Sequence, residues 1–435
     1  MAKSENEEIK MIIKRAKNLS GEINIPGDKS ISHRSIMLGS LAKGDTVVHG
    51  FLQGADCLSS ISCFRAMGID IENENDKVII HGRGLRGLKK PDSILDVGNS
   101  GTTIRLMSGI LAAQGFDVEV DGDASIRKRP MGRIMTPLSL MGADIKSKNN
   151  NGCAPLLISG RSLKGIHYDS PVASAQVKSG VLFAGLYAED ETSVTEPYVS
   201  RNHTELMLKD FGADIITSGK TVTVKPAEEL YAKRIDVPGD ISSAAYFIAA
   251  GLITEGSLLT IKNVGINPTR DGMIEVCRMM GADMDVDEID NGSAEPVADI
   301  TVRTSSLVGC TIGGELIPRL IDEIPAIAIM ACFADGQTVI KDAAELKVKE
   351  TNRIDTIVNN LKAMGADIEA TDDGMIINGG RALHGAVIDS KLDHRIAMSF
   401  AIAGLNADGE TEIVGSECVD ISFPGFFEKL NIFCK

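Results

Sequence analysis

The sequence predicts a mixed α/β protein made of six βαβαββ-like units, arranged as two halves of three units each. Three observations carry this expectation. A helix-end signal, "FRAMGIDI", "SLMGADI", "KDFGADI", "RMMGADM" and "KAMGADI", returns roughly every seventy residues, the mark of a repeat architecture. A second echo, a polar cluster opening a small-residue apolar helix, alternates with the first. The tripeptide "PGD" at Pro26 returns at Pro238, three units later.

Each copy of the first signal reads as the end of an amphipathic helix, a glycine C-cap and a strand. The glycines are Gly68, Gly142, Gly212, Gly281 and Gly365, and "FFEKLNIF" near the C-terminus reads as a sixth, eroded copy. The second echo runs from a polar cluster through an apolar helix to Gly or Asp, then into a Val/Thr-rich strand. Its copies are "PGDKSISHRSIMLGSLAKGDTVV", "GNSGTTIRLMSGILAAQGFDVEV", "PVASAQVKSGVLFAGLYAEDETSV", "PGDISSAAYFIAAGLITEGSLLTI", "IDEIPAIAIMACFADGQTVI" and "DHRIAMSFAIAGLNADGETEI". These helices are apolar nearly all round, so they belong inside. The repeated "PGD" divides the chain into 22–234 and 1–21 plus 235–435, with a hinge near Tyr231 to Val237. The leading strand "EIKMIIKRA" has no place in the first half and is assigned to the second.

Composition narrows the function. The chain has 435 residues, 43% apolar and 24% charged, as in an ordinary soluble globular protein. Aromatics are only 4%, without Trp, which disfavours a stacking surface for single-stranded nucleic acid. A net charge of −15 argues against nucleic acid or an anionic membrane as partner, but leaves room for a small anion held by local cations. The eight cysteines are scattered without a CxxC or zinc-spaced His, so no metal is expected, only free thiols in a reducing cytoplasm. "MAKSENEEIK" is too charged for a signal peptide, and "AAYFIAAGLIT" falls short of the ~18 residues a membrane span needs. A cytoplasmic monomer is the expectation.

Charge sits in unusual places. Lys29, His33 and Arg34 crowd the first turn of the helix that opens after "IPGD". A helix N-terminus already carries about half a positive charge, so cations there cost a few tenths of a kcal/mol each. Arg105 follows "GNSGTT", Lys178 follows "SAQ", and Arg395 is the third residue of "DHRIAM". A bound anion reverses the sign, since N–H groups, dipole and cation then all face one negative group. The plainer alternative pairs each cation with a local carboxylate, for example Arg34 with Asp28. "ASIRKRPMGR" adds Arg127, Lys128, Arg129 and Arg133, which read equally as a solvated charge run. "VKETNRID" sets Glu350 and Arg353 at i,i+3, on one face if both are helical, or as a weak surface pair. "LIDEIP" sets Asp322 and Glu323 before an apolar helix, where an acidic cap is the simpler reading. "GRGLRG", Gly82 to Gly87, matches a dinucleotide fingerprint but runs into "LKKPDS" with no helix to receive a pyrophosphate.

Nine motifs stand in one order: "PGDKSISHR", "GNSGTTIR", "RKRPMGR", "SAQVKS", "SRNHTE", "IDEIP", "VKETNR", "DHRIAM" and "SFPGFFEKL". The chain from about Lys14 onward resembles, on these motifs, the EPSP synthases (3-phosphoshikimate 1-carboxyvinyltransferases). "SAQVKS" and "SRNHTE" are similar to the class II branch. The resemblance implies a two-domain inside-out α/β barrel, with three βαβαββ units per domain around buried parallel helices and an active site in the cleft. It implies transfer of the enolpyruvyl group of phosphoenolpyruvate to the 5-hydroxyl of shikimate 3-phosphate, without metal or cofactor. Shikimate 3-phosphate then falls mainly to the N-terminal half and phosphoenolpyruvate mainly to the C-terminal half.

Residue by residue, the resemblance assigns Lys29, Ser30, Arg34, Ser174, Ala175, Gln176, Arg201, Asp322 and Lys349 to shikimate 3-phosphate. It assigns Lys29, Gly101, Arg129, Gln176, Arg353 and Arg395 to phosphoenolpyruvate. Asp322 is then the base for the 5-hydroxyl, Glu350 moves a proton at the methylene carbon, and Lys29 joins them as a catalytic group. Two departures stand out: position 175 is Ala, so only its backbone contributes, and Ile421 stands where enteric-type members have a lysine. Two alternatives remain open at this point. A UDP-N-acetylglucosamine enolpyruvyl transferase shares the chemistry but carries a reactive Cys in the loop that reads "DGDASIRKRPMGR" here. A non-catalytic repeat scaffold binding a phosphorylated ligand needs the cations but not Asp322 and Glu350.

Overall fold

The computed structural model describes residues 10–74, 77–290 and 295–434. These fall into two compact units: one holds the chain up to Pro26 and from Gly239 onward except Glu295, the other Gly27–Pro238 with Glu295. We refer to them as the C-terminal and N-terminal units. The stretch read as a hinge before Val237 is instead an ordered strand, Arg234–Asp236, inside the N-terminal unit.

Each unit carries three small sheets and is an α/β barrel turned inside out, with helices within. The second repeat shows the plan. Strand Leu95–Asp96, helix Gly101–Leu111, strand Asp117–Asp121, helix Gly132–Leu140 and strands Asp144–Ser147 and Leu156–Ser159 follow one another. The first strand pairs parallel with the second, and the other pairings are antiparallel.

The strand that precedes each "PGD" departs from this local plan. Ser20–Asn24, just before the first, pairs parallel with Leu258–Gly265 in the C-terminal unit. Arg234–Asp236, just before the second, pairs parallel with Lys43–His49 in the N-terminal unit. Each unit thus takes its opening strand from the segment just before the "PGD" at which the chain leaves that unit. The last sheet is completed differently: Lys10–Lys14 runs antiparallel to Glu410–Val414. The expected sixth copy of the helix-end signal is not one, because Phe426–Phe433 is a helix with no strand pair behind it.

The five predicted glycine caps all adopt left-handed backbone, with φ between +75° and +96°. Any other residue type would be strained there, so these glycines end the outer helices. The inner helices are buried nearly throughout. Every residue of Ile324–Cys332 is buried, as is all of Ile241–Ile253 except its last residue. Two inner helices approach closely enough that a Cβ on Gly109 would lie 1.9 Å from the Gly180 carbonyl oxygen. Among the described residues no helix is long and apolar enough to cross a membrane.

Candidate active site

The inner helices break their burial almost only at their N-termini. Lys29 and Ser30 are the residues not buried in Lys29–Leu41, and Thr102 and Arg105 those in Gly101–Leu111. They are Ala175 and Gln176 in Ala175–Gly185, and Arg395 in His394–Gly404. These helix starts hold most of the residues singled out above.

In the N-terminal unit the side chains of Asp28, Ser100 and Ser174 cap the helices by accepting from the N–H groups of Ile31, Thr103 and Val177. Lys29 is paired with Asp56, a residue that no motif signalled. Arg105 donates to Gln176 Oε1 at 2.7 Å, and Gln176 Nε2 donates to Thr102 Oγ1 at 3.0 Å. Arg129 reaches Asn99 Oδ1 at 2.7 Å, so the basic loop is folded back on the "GNSGTT" turn. A Cβ on Gly101 would sit 2.9 Å from an Arg105 nitrogen and 3.0 Å from an Arg129 nitrogen. Gly101, Arg105, Arg129 and Gln176 therefore form one cationic group around a bare helix start.

Arg34 points inward. Its guanidinium donates to Thr204 Oγ1 at 2.6 Å, the Ser30 carbonyl at 2.9 Å and Ser179 Oγ at 2.8 Å. Burial lowers its pKa to about 10, against the attraction of Glu205 and Asp28, and Arg201 adds to the lowering. Two charge readings from the sequence need correction. His33 does not add charge to the first turn: burial, then Lys29 and Arg34, hold it neutral, with Nδ1 2.8 Å from Ser60 Oγ. Lys178 does not await an anion: its ammonium lies 2.9 Å from Glu196 and 2.7 Å from Glu205, with all three side chains buried.

The C-terminal unit holds the second group. Asp322 Oδ1 accepts from Lys349 at 3.3 Å and Arg353 at 3.4 Å, and the Arg395 guanidinium lies 3.7 Å from Oδ2. Arg353 also meets Glu350 at 2.5 Å and Asp393 at 2.8 Å. Burial alone would lower the pKa values of Arg353 and Arg395. Asp393 and Glu350 raise that of Arg353 above its ordinary value, and Asp322 does so for Arg395. Asp393, inside the "DHRIAM" motif but not singled out from it, caps the helix by accepting from Arg395 N at 3.0 Å.

Two expectations about this group change. Glu350 and Arg353 do not share a helix face, because the helix begins at Arg353 behind its N-cap Asn352. The pair is not a surface one either, since Arg353 is 1% exposed. The N-cap residue Glu323 makes no side-chain capping bond to the Ile324–Cys332 helix, and Asp322 faces Lys349 and Arg353. Glu323 instead accepts from Ser242 Oγ and lies 3.7 Å from Arg270, which also bonds Asp240. This buried cluster joins residues far apart in sequence, and no local pattern announces it. Ile421 packs partly buried against the core, and Lys429 Nζ, 5.6 Å from the centroid of the Phe423 ring, donates to the Asn24 carbonyl at 2.8 Å.

Chemically, the N-terminal group offers helix N-termini and cations to an anion. The C-terminal group offers two carboxylates, Asp322 and Glu350, held among guanidinium and ammonium groups, a setting for proton transfer beside bound negative charge. Comparison with known proteins agrees in kind. The profile of the family described as EPSP synthase (3-phosphoshikimate 1-carboxyvinyltransferase) matches residues 13–430. The chain is 57% identical over 417 residues to the 3-phosphoshikimate 1-carboxyvinyltransferase of Bacillus thuringiensis strain Al Hakam, covering 96% of this chain and 97% of that one. The Bacillus cereus strain 03BB102 protein of the same name has the same identity and coverage. Among solved structures, an EPSP synthase from Acinetobacter baumannii superposes with a TM-score of 0.87 at 49% identity, covering 98% of both chains.

Proposed function

This chain belongs to the EPSP synthase family, and on that premise we propose how its two groups of residues divide one reaction. The chain is an enolpyruvyl transferase of the shikimate pathway, which leads to the aromatic amino acids. It moves the enolpyruvyl group of phosphoenolpyruvate to the 5-hydroxyl of shikimate 3-phosphate and releases phosphate. The observation that supports the division of labour is the difference between the groups: three helix starts bordered by Lys29, Arg105 and Arg129 in one unit, and Asp322 and Glu350 held among Lys349, Arg353 and Arg395 in the other.

In this reading the N-terminal unit binds mainly shikimate 3-phosphate through Lys29, Ser30, Arg34, Ser174, the Ala175 backbone, Gln176 and Arg201. Arg34 contributes chiefly through the Ser30 carbonyl it holds. Gly101, Arg129 and Gln176 meet phosphoenolpyruvate, for which the C-terminal unit supplies Arg353 and Arg395. Lys349 supports the acceptor substrate beside Asp322. The enzyme works as a cytoplasmic monomer.

Addition begins when Asp322 takes the proton of the 5-hydroxyl as that oxygen bonds C2 of phosphoenolpyruvate. A proton arrives at the methylene carbon, making it a methyl group. Elimination removes a proton from that methyl, re-forms the carbon–carbon double bond and breaks the C2–O bond to phosphate. Glu350 handles the proton at this carbon, with Arg353 bound to it to fix its place. Lys29 stands with the catalytic groups and its ammonium charge offsets that of the phosphates. The test is phosphate release from phosphoenolpyruvate with shikimate 3-phosphate or UDP-N-acetylglucosamine as acceptor. Release with the first alone is expected, and no release with it sinks this reading.

A further inference from the structure

Lys178 is too well buried to touch a substrate, yet every donor of its ammonium is used. It reaches Glu196 Oε2 at 2.9 Å, Glu205 Oε1 at 2.7 Å and the Ser200 carbonyl at 3.3 Å. Glu196 turns its other acceptor sites to the backbone of Ser174 and to the backbone and hydroxyl of Ser200, beside the candidate phosphate-binding residues. Its Oε1 accepts from Ser174 N at 2.8 Å and Ser200 Oγ at 2.7 Å, and its Oε2 from Ser200 N at 3.2 Å. Glu205 stands on helix His203–Asp210 beside Thr204, which takes the Arg34 hydrogen bond and lies 2.6 Å from Ser179 Oγ.

One buried cation thus ties three pieces of chain: the start of helix Ala175–Gly185, the turn at Ser200 that leads to Arg201, and helix His203–Asp210. The shikimate 3-phosphate residues Ser174, Ala175, Gln176 and Arg201 ride on the first two pieces. Without the ammonium, two carboxylates would face each other in the core beside a phosphate-binding surface. Burial works against the charged lysine, but Glu205 and Glu196 together more than offset it, so the ammonium persists.

We propose that Lys178 is a positioning residue for shikimate 3-phosphate: through Glu196 and Glu205 it sets the spacing of Ser174 and Arg201 without touching either substrate. This rests on the function proposed above. Its chemistry differs from that of the surface cations, because it acts by ordering the acceptor half of the site while leaving the phosphoenolpyruvate arginines on other elements.

The test uses the full-length enzyme carrying Lys178→Met with Glu205→Gln, which removes one charge of each sign and keeps the net charge of the cluster. Folding is checked by thermal melting, and KM is measured for each substrate with the other saturating. The expected result is a KM for shikimate 3-phosphate raised on the order of tenfold or more, with the phosphoenolpyruvate KM changed less than about threefold and kcat reduced less than KM is raised. If the double variant does not fold, Glu196→Gln is read in the same way and should show the same one-sided rise. Equal changes in both KM values, or none, overturn the proposal. Wild-type enzyme that releases no phosphate with shikimate 3-phosphate overturns the reaction as well. Normal wild-type turnover with an unmoved variant KM overturns the positioning role alone.

Discussion

Arg353 Nε donates to Asp393 Oδ2 at 2.8 Å, with both side chains buried. The other oxygen of the same carboxylate accepts from Arg395 N at 3.0 Å. Asp393 therefore orients two arginines, one through its guanidinium and one through its backbone. The proposed phosphoenolpyruvate clamp is assembled around this carboxylate, which itself has no need to touch the ligand.

Removing that carboxylate is expected to be expensive. Asp393→Ala deletes a helix cap, worth about 1 kcal/mol, and one partner of a buried ion pair, worth about 3–5 kcal/mol when broken. Because Glu350 still meets Arg353, the lower part of that range is expected for the pair, about 4–5 kcal/mol in total with the cap by urea unfolding. Asp393→Asn keeps a capping oxygen and should lose about 1 kcal/mol less. A loss under about 1 kcal/mol for the alanine variant would show that the pair is not structural.

Positioning should matter at least as much as proton transfer. Orientation of two reactants supplies roughly 7–11 kcal/mol of a barrier. General acid–base catalysis supplies about 3–5.5 kcal/mol, from ~10²- to 10⁴-fold in rate. Arg395→Ala is therefore expected to lower kcat/KM by at least as much as Asp322→Asn. Steady-state kinetics decides it: near-normal kcat/KM in the arginine variant beside an inactive Asp322→Asn would reverse the ranking.

Shikimate 3-phosphate should stabilise the enzyme against heat. Lys29 and Arg34 lie near the start of helix Lys29–Leu41, where a bound anion turns an unfavourable field into a favourable one. At a hundred times Kd, mass action contributes about 2.7 kcal/mol, or roughly 5–10 °C in Tm. A calorimetric scan showing no shift at saturating ligand would count against these cations as its binding site.

Acid should weaken the fold through His33. Burial, followed by Lys29 and Arg34, keeps it neutral in the native state, while the unfolded chain takes up a proton below about pH 6.5. Its contribution is present in full above that pH and lost as pH falls, by up to about 1.4 kcal/mol per unit. His81 acts in the opposite sense: the hydrogen bonds its ring donates to Asp45 and Glu72 raise its pKa, so its contribution is present at low pH and fades as pH rises. Urea midpoints at pH 7.5 and 5.5 should therefore fall less in His33→Gln than in wild type, and identical falls would contradict the assignment.

The thiols should differ sharply in reactivity. Burial pushes those of Cys63, Cys277, Cys332 and Cys418 up to about 12, so almost no thiolate exists at neutral pH. Cys153 is only half-buried. Iodoacetamide on the native enzyme, followed by peptide mass mapping, should find Cys153 modified well before those four. Modification of Cys277 at a comparable rate would mean that the core opens more readily than its packing indicates.

Local chemistry wrote much of this molecule into the sequence. The helix ends at Gly68, Gly142, Gly212, Gly281 and Gly365 were legible because only glycine adopts left-handed backbone without strain. The inner helices were legible because they are apolar on every side, and the ordered motifs marked the family. Such signals depend on neighbours within a turn or two, so the sequence alone determines them. Partners distant in sequence were decided by tertiary structure. Nothing local to Ser20–Asn24 or Arg234–Asp236 says that each pairs with a strand of its own unit that lies far away in sequence. Nor does "SAQVKS" reveal that Lys178 turns inward: its charge is the same in either setting, and only packing beside Glu196 and Glu205 makes burial affordable. The sequence determined which residues carry charge and where helices begin and end. The tertiary structure decided which charges neutralise one another, because the energy of an ion pair depends on distance and burial, and both are set by how the chain packs.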